Sequence, residues 1–221
     1  MSATGAERRS ALVINAGGRS RRMKRDKALL PVPPEGMPLI RHMLGRLALL
    51  ALKTVIVVGS DPQLVRQAGL SDSVRYVGDE YPRGGALGGM ATGMAAVDDW
   101  AVMLACDLPL IRPQVVSYLL SLSRERTDCM HDRWDAIVPL VGGMAQPMLA
   151  LYNRRCLPAM RQVLNAGQLR AISFLPSVRV RYVSEEELRP FDGQLDSFIN
   201  VNRPEEWTRA LELLQGETPE N

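Results

Sequence analysis

Histidine and cysteine are scarce in this chain, two of one and three of the other among 221 residues. Cys106, Cys129 and Cys156 stand far apart with no C-x-x-C spacing, and His42 and His131 share no metal-ligand spacing with them or with each other. So sparse and odd a set of thiols argues against a disulfide framework and against structural zinc. Two isolated imidazoles argue equally against His-based acid–base chemistry. Long apolar runs are missing too. None approaches the roughly 18 residues that a spanning helix needs. The first apolar stretch after Arg8 and Arg9, residues 11–14, is too short for a signal-peptide core. The chain therefore reads as cytoplasmic, with no membrane partner. The G-x-x-x-x-G-K-[ST] loop is absent, and so is G-x-G-x-x-G, which disfavours hydride transfer. There is no internal repeat, heptad or low-complexity tract. A net charge of +3 is small for a dedicated nucleic-acid binder.

What is present is the composition of a soluble globular protein, 46% hydrophobic and 23% charged. The length suits one domain over residues 11–215, with residues 1–10 and 216–221 as flexible tails. Short β-rich apolar runs predict strands at 11–14, 55–58, 74–77, 101–105, 136–140, 148–152 and 178–183. Helical spacing predicts helices at 39–52, 63–68, 94–97, 113–122, 157–164, 168–175 and 204–214, with 84–93 as a glycine-rich loop. Buried strands alternating with helices predict an α/β fold, a mostly parallel sheet covered on both faces.

In such a sheet ligands bind at the carboxyl ends of the strands, and three suggestive segments fall there. After the first strand, Gly17-Gly18 is followed by Arg19, Arg21, Arg22, Lys24, Arg25 and Lys27. Glycines admit phosphate oxygens close to backbone N–H groups, and arginine and lysine supply charge-assisted donors. The alternative is a tight turn with a solvated basic loop, but six cations so close repel one another unless an anion joins them. No aromatic residue interleaves them to stack on bases, which argues against a nucleic-acid partner. After the fourth strand comes Asp107, suited to holding Mg²⁺ beside substrate phosphates, or else serving as a turn or cap residue before Pro109. Asp79, after the third strand, is a weaker candidate of the same kind. Gly84 to Gly93, with Gly85 and Gly88, could let a base lie against backbone, or could pack a helix close to the sheet. Near the end, Asn200 and Asn202 flank Val201 and project to one side of an extended segment. Asn202, Pro204 and Glu205 also have the spacing of a capping box, which leaves Asn200 without a structural duty.

These motifs resemble the molybdenum cofactor guanylyltransferases, the MobA-like branch of the nucleotidyltransferases. The resemblance rests on A-G-G-x-S-x-R-M-x-x-D-K at 16–27, P-L-I at 38–40, L-G-G-M-A at 87–91, C-D-L-P at 106–109 and F-x-N-x-N-x-P-E-E at 198–206. It implies a three-layer α/β/α Rossmann-like fold, with 11–110 as the NTP-binding half and 111–215 as the acceptor-binding half. It further implies transfer of GMP from GTP to the terminal phosphate of molybdopterin, with release of pyrophosphate. By resemblance Ala16, Gly17 and Gly18 hold the nucleotide through their backbone, and Lys27, Arg21 and Arg22 neutralise phosphate charge. Also by resemblance, Asp107 looks like the Mg²⁺ ligand, Asp79 like a second nucleotide-site carboxylate, and Asn200 and Asn202 like part of the pterin-side pocket. Transient contacts with other molybdenum-cofactor proteins fit the same picture. The departures are Asn15 for the usual Leu, Lys24 for a glycine, Val58-Gly59 where guanine-specific relatives often carry Asn, and Arg203 for Thr. Gly18 leans toward guanine, since CTP-using relatives more typically show A-A-G. The second reading is a nucleotidyltransferase of this fold using CTP on molybdopterin, or an NTP on a sugar or alcohol phosphate.

Overall fold

The computed structural model describes residues 10–17, 26–50, 52, 54–124 and 134–216. Gly18, Arg21 and Arg22 lie outside the described residues, as do 1–9 and 217–221. In chain order the elements are β1 (Ala11–Asn15), β2 (Pro31–Val32), β3 (Met37–Pro38), α1 (Leu39–Arg46), β4 (Thr54–Gly59) and α2 (Leu64–Gln67). There follow β5 (Val74–Gly78), α3 (Gly85–Ala95), β6 (Trp100–Ala105), α4 (Pro113–Leu122), β7 (Ala136–Val141), β8 (Met144–Ala145) and β9 (Leu149–Asn153). The last are α5 (Leu157–Asn165), β10 (Val180–Val183), α6 (Glu185–Leu188) and α7 (Pro204–Gly216).

The strands lie in the order β10-β7-β9-β6-β1-β4-β5. β1 runs parallel to β4 and β6, β4 to β5, and β10 to β7; β9 runs against its neighbours β6 and β7, and the short β8 against β7. The sheet is thus mixed but mostly parallel, and it joins the two halves of the chain where β9 pairs with β6. Alternation along β1 serves both faces. Leu12 and Ile14 enter a core with α1, α4 and α7, while Ala11 and Val13 enter one with α3 and α5. Helices on both faces make the three layers expected. The chain leaves β1 toward β4 and β5, then returns to place β6 on the other side of β1. That reversal opens a crevice at the carboxyl ends of β1 and β6, where parallel sheets bind ligands.

The glycine-rich stretch expected as a loop is instead most of α3, and residues 94–97 cover only its end. Glycine is about 1 kcal/mol worse than alanine in a helix interior, so packing must compensate. A Cβ on Gly88 would lie 2.7 Å from the Tyr81 carbonyl oxygen, one on Gly89 2.3 Å from the Asn15 amide, and one on Gly93 2.3 Å from Val13 Cγ1. Only a helix without side chains on that stripe can approach the sheet so closely. The helix expected at 168–175 is a run of turns ending in a single 3-10 turn, Leu175–Ser177. Phe174 and Leu175 are buried from these turns. The first helix stops at Arg46, short of residue 52, and a 3-10 turn Ala48–Leu50 follows. The short α6 was not expected; Ser184 and Glu187 close a capping box on it. Ser10, just before β1, is buried, and Gly216 closes α7.

Candidate active site

At the crevice the ends of β1 and β6 are stitched together, the Cys106 N–H donating to the Asn15 carbonyl (3.3 Å). A cavity of about 330 Å³ opens there, lined by Ala16, Gly17, Asp26, Lys27, Asp107 and Asn200 among others. Asp26 caps the 3-10 turn Lys27–Leu29 by accepting from the Ala28 N–H (3.0 Å), and so sets the root of the Lys27 side chain. Lys27 Nζ then donates to Asp107 Oδ2 (2.8 Å) and to Asn202 Oδ1 (2.6 Å). The segment bearing Asn202 is anchored by buried Val201, whose N–H donates to the Asp107 carbonyl (3.0 Å). The second carboxylate oxygen, Asp107 Oδ1, is buried and has no donor among the described residues. An oxygen in that condition is costly unless a cation or donor joins it.

Asn202 does not cap α7. The helix begins at Pro204, one residue later than the capping-box spacing assumed, so its third residue is Glu206 rather than Glu205. Glu206 Oε2 accepts from the N–H groups of Asn202 (2.6 Å) and Arg203 (3.1 Å), which releases the Asn202 side chain to reach Lys27. Asn200 lines the cavity and makes only a long contact, 3.5 Å, to the Phe198 carbonyl.

Among the described residues, the lining of the opposite wall is uncharged. Ala16 and Gly17 line the cavity, but their N–H groups are not spare donors: Ala16 bonds the Val58 carbonyl (2.8 Å) and Gly17 the Asn15 side chain (3.1 Å). Asp79 Oδ1 accepts from the Tyr81 N–H (2.8 Å) and from Thr92 (3.3 Å), and its Oδ2 lies 3.4 Å from where a Cβ on Gly17 would stand. Gly85, at φ +60°, and Gly88 stand at the start of α3 without lining the cavity; Ala86, between them, does line it. Arg21, Arg22 and Gly18 fall outside the described residues. Residue patterns alone did not single out Asn15, Asp26 or Ala86. The one visible signal for Asn15 was a polar residue closing an apolar strand.

Burial raises the pKa of the Asp26 carboxyl, its Ala28 hydrogen bond opposing this. Burial, with Asp107 beside it, pushes the Cys106 thiol far above its usual range, so it offers no thiolate nucleophile. Among the described residues no three His, Cys, Asp or Glu side chains are grouped to hold a metal. A cation here would rest on Asp107 and on substrate oxygens, the usual manner of Mg²⁺. No helix among the described residues is long and apolar enough to cross a membrane. A larger cavity, about 820 Å³, lies among α1, α4 and α7 beside Pro33, His42 and Phe191, and none of the expected site residues lines it.

The chain is similar to known proteins over most of its length. The family model described as "MobA-like NTP transferase domain" matches residues 12–180. A probable molybdenum cofactor guanylyltransferase of Pelotomaculum thermopropionicum is 37% identical over 199 residues, 90% of each chain. The molybdenum cofactor guanylyltransferase of Syntrophotalea carbinolica is 34% identical, covering 89% of this chain and 88% of its own. Among solved structures, molybdopterin-guanine dinucleotide biosynthesis protein A of Archaeoglobus fulgidus superposes with a TM-score of 0.78 at 23% identity, over 94% of this chain and 100% of its own. That structural likeness speaks for the fold.

Proposed function

The chain belongs to the MobA-like NTP transferase domain family, and we propose that it transfers GMP from GTP to the terminal phosphate of molybdopterin, releasing pyrophosphate. The relatives named as guanylyltransferases across nine-tenths of the chain support the nucleotide and the acceptor. The observation that carries the chemistry is Asp107, held through Oδ2 by Lys27 and left with a buried, unpartnered Oδ1 at the crevice between β1 and β6. That oxygen fits a Mg²⁺ ion, which when bound supplies charge stabilisation to the triphosphate.

An oxygen of the acceptor's terminal phosphate forms the new bond to the α-phosphorus of GTP, and the bond from that phosphorus to the β-phosphate bridge breaks, with pyrophosphate leaving. The attacking group is already an anion, so no protein base is required. What the protein supplies is alignment and charge. Lys27 offsets phosphate charge and keeps Asp107 oriented, and Arg21 and Arg22 of the same loop add to that charge. Ala16 and Gly17, which line the cavity, and Gly18 border the nucleotide, and Asp79, Gly85 and Gly88, which do not line it, are assigned to the nucleotide site as neighbours of Gly17 and Ala86. Asn200 and Asn202 face the acceptor, with Asn202 reaching the phosphate side through Lys27. The reaction is assigned to the cytoplasm, with GTP and molybdopterin as the small-molecule partners.

The test is pyrophosphate release with molybdopterin and Mg²⁺, each nucleoside triphosphate supplied in turn. GTP turnover should exceed CTP turnover; CTP turnover equal to or above it would overturn the guanine assignment and leave the transferase intact.

A further inference from the structure

Asn15 is the only polar side chain of β1, and it is 5% exposed. Its amide spans two segments that are remote in sequence. Oδ1 accepts from the Gly17 N–H (3.1 Å), and Nδ2 donates to the carbonyl of Ala86 in the first turn of α3 (2.9 Å). The amide lies flat against Gly89, where a Cβ would stand 2.3 Å from Oδ1, 2.5 Å from Nδ2 and 2.6 Å from Cγ. A buried amide needs partners at both ends, and here the partners belong to two segments, the end of β1 and the start of α3, that form one wall of the cavity, since Asn15, Gly17 and Ala86 all line it. An apolar side chain of equal size would fill the space without joining the two segments.

We propose that Asn15 is a positioning residue whose amide sets the gap between Gly17 and Ala86, and with it the fit of the nucleotide; this rests on the nucleotide reading of the cavity. Gly89 is the other half of the device, because only a residue without Cβ leaves room for the amide.

The experiment measures nucleotide affinity by calorimetry, with melting temperature and steady-state kinetics, for wild type, Asn15→Leu, Asn15→Ala, Gly89→Ala and the Asn15→Ala/Gly89→Ala double variant. Displacing a substrate-positioning element by a fraction of an ångström costs binding and alignment, so Asn15→Leu should weaken Mg-GTP binding about tenfold or more, with kcat at saturating GTP within about threefold. The double variant should be no weaker than the worse single one, because the methyl at position 89 then meets no amide. The proposal is overturned if Asn15→Leu and Asn15→Ala lower only the melting temperature and leave affinity within about twofold. It is equally overturned if the two single losses multiply in the double variant. Should wild type prefer another nucleotide to GTP, the guanine assignment falls, and the same variants measured with the preferred nucleotide decide the role of Asn15. If it binds none, both readings fall.

Discussion

The wall at the end of β1 and the wall at the end of β6 face one cavity but are made of different chemistry. Among the described residues, the β1 side carries an uncharged amide, glycines and backbone, with α3 drawn so close that three of its glycines have no room for a Cβ. On the β6 side a carboxylate and a second amide each lie within 2.8 Å of one lysine Nζ, and one carboxylate oxygen is left over. We take the described part of the first wall to set shape and the second to set charge. If that division holds, changes on the charged wall fall mainly on rate, and changes on the neutral wall fall on affinity or stability.

The largest effect expected is from Asp107→Asn. Losing one preorganised charge contact costs about 10²–10³ in rate, so kcat for pyrophosphate release should drop by that factor while the melting temperature stays nearly level. A variant that melts early yet turns over normally when folded would make Asp107 a turn residue and remove the contrast. Next comes Asn202→Ala, which frees Lys27 from one of its two partners. A loss of about tenfold in kcat/KM is expected, and it should shrink sharply in a Lys27→Met background, since residues acting through one another are non-additive. Equal losses in both backgrounds would sever Asn202 from Lys27. The smallest effect on turnover belongs to Gly93→Ala, deep beneath the neutral wall. Its methyl meets Val13 Cγ1 at 2.3 Å, and overpacking of that kind costs about 1–3 kcal/mol of stability. Denaturant melts should show the loss, with turnover per folded molecule unchanged. A drop in kcat would mean that the helix carries more than shape.

Much of this was legible from residue pattern. Runs such as residues 11–14 and 101–105 read as buried strands, because β-branched and small apolar residues without alternating polar ones suit a strand covered on both faces. The charged wall was legible as well: a carboxylate closing an apolar strand at Asp107 and a lysine ending a basic loop at Lys27 have no packing reason to be there. Other features misled. Gly84 to Gly93 read as a loop because intrinsic propensity disfavours glycine in helices, whereas close approach to β1 outweighed that preference. Residues 168–175 carry helical apolar spacing, yet they form turns from which Phe174 and Leu175 are buried. The capping spacing around Asn202 was misplaced by one residue, and that single step decides whether its side chain serves a helix end or Lys27.

By itself, then, the amino-acid order determined the α/β alternation, the strand ends where chemistry gathers and the residue types gathered there, since each depends on neighbours a few positions apart. Only the tertiary structure decided that Asn15 joins Gly17 to Ala86 and that Asn202 shares Lys27 with Asp107. Those pairs lie 71 and 175 positions apart, and a hydrogen bond reports the distance between atoms in space, which no local spacing encodes.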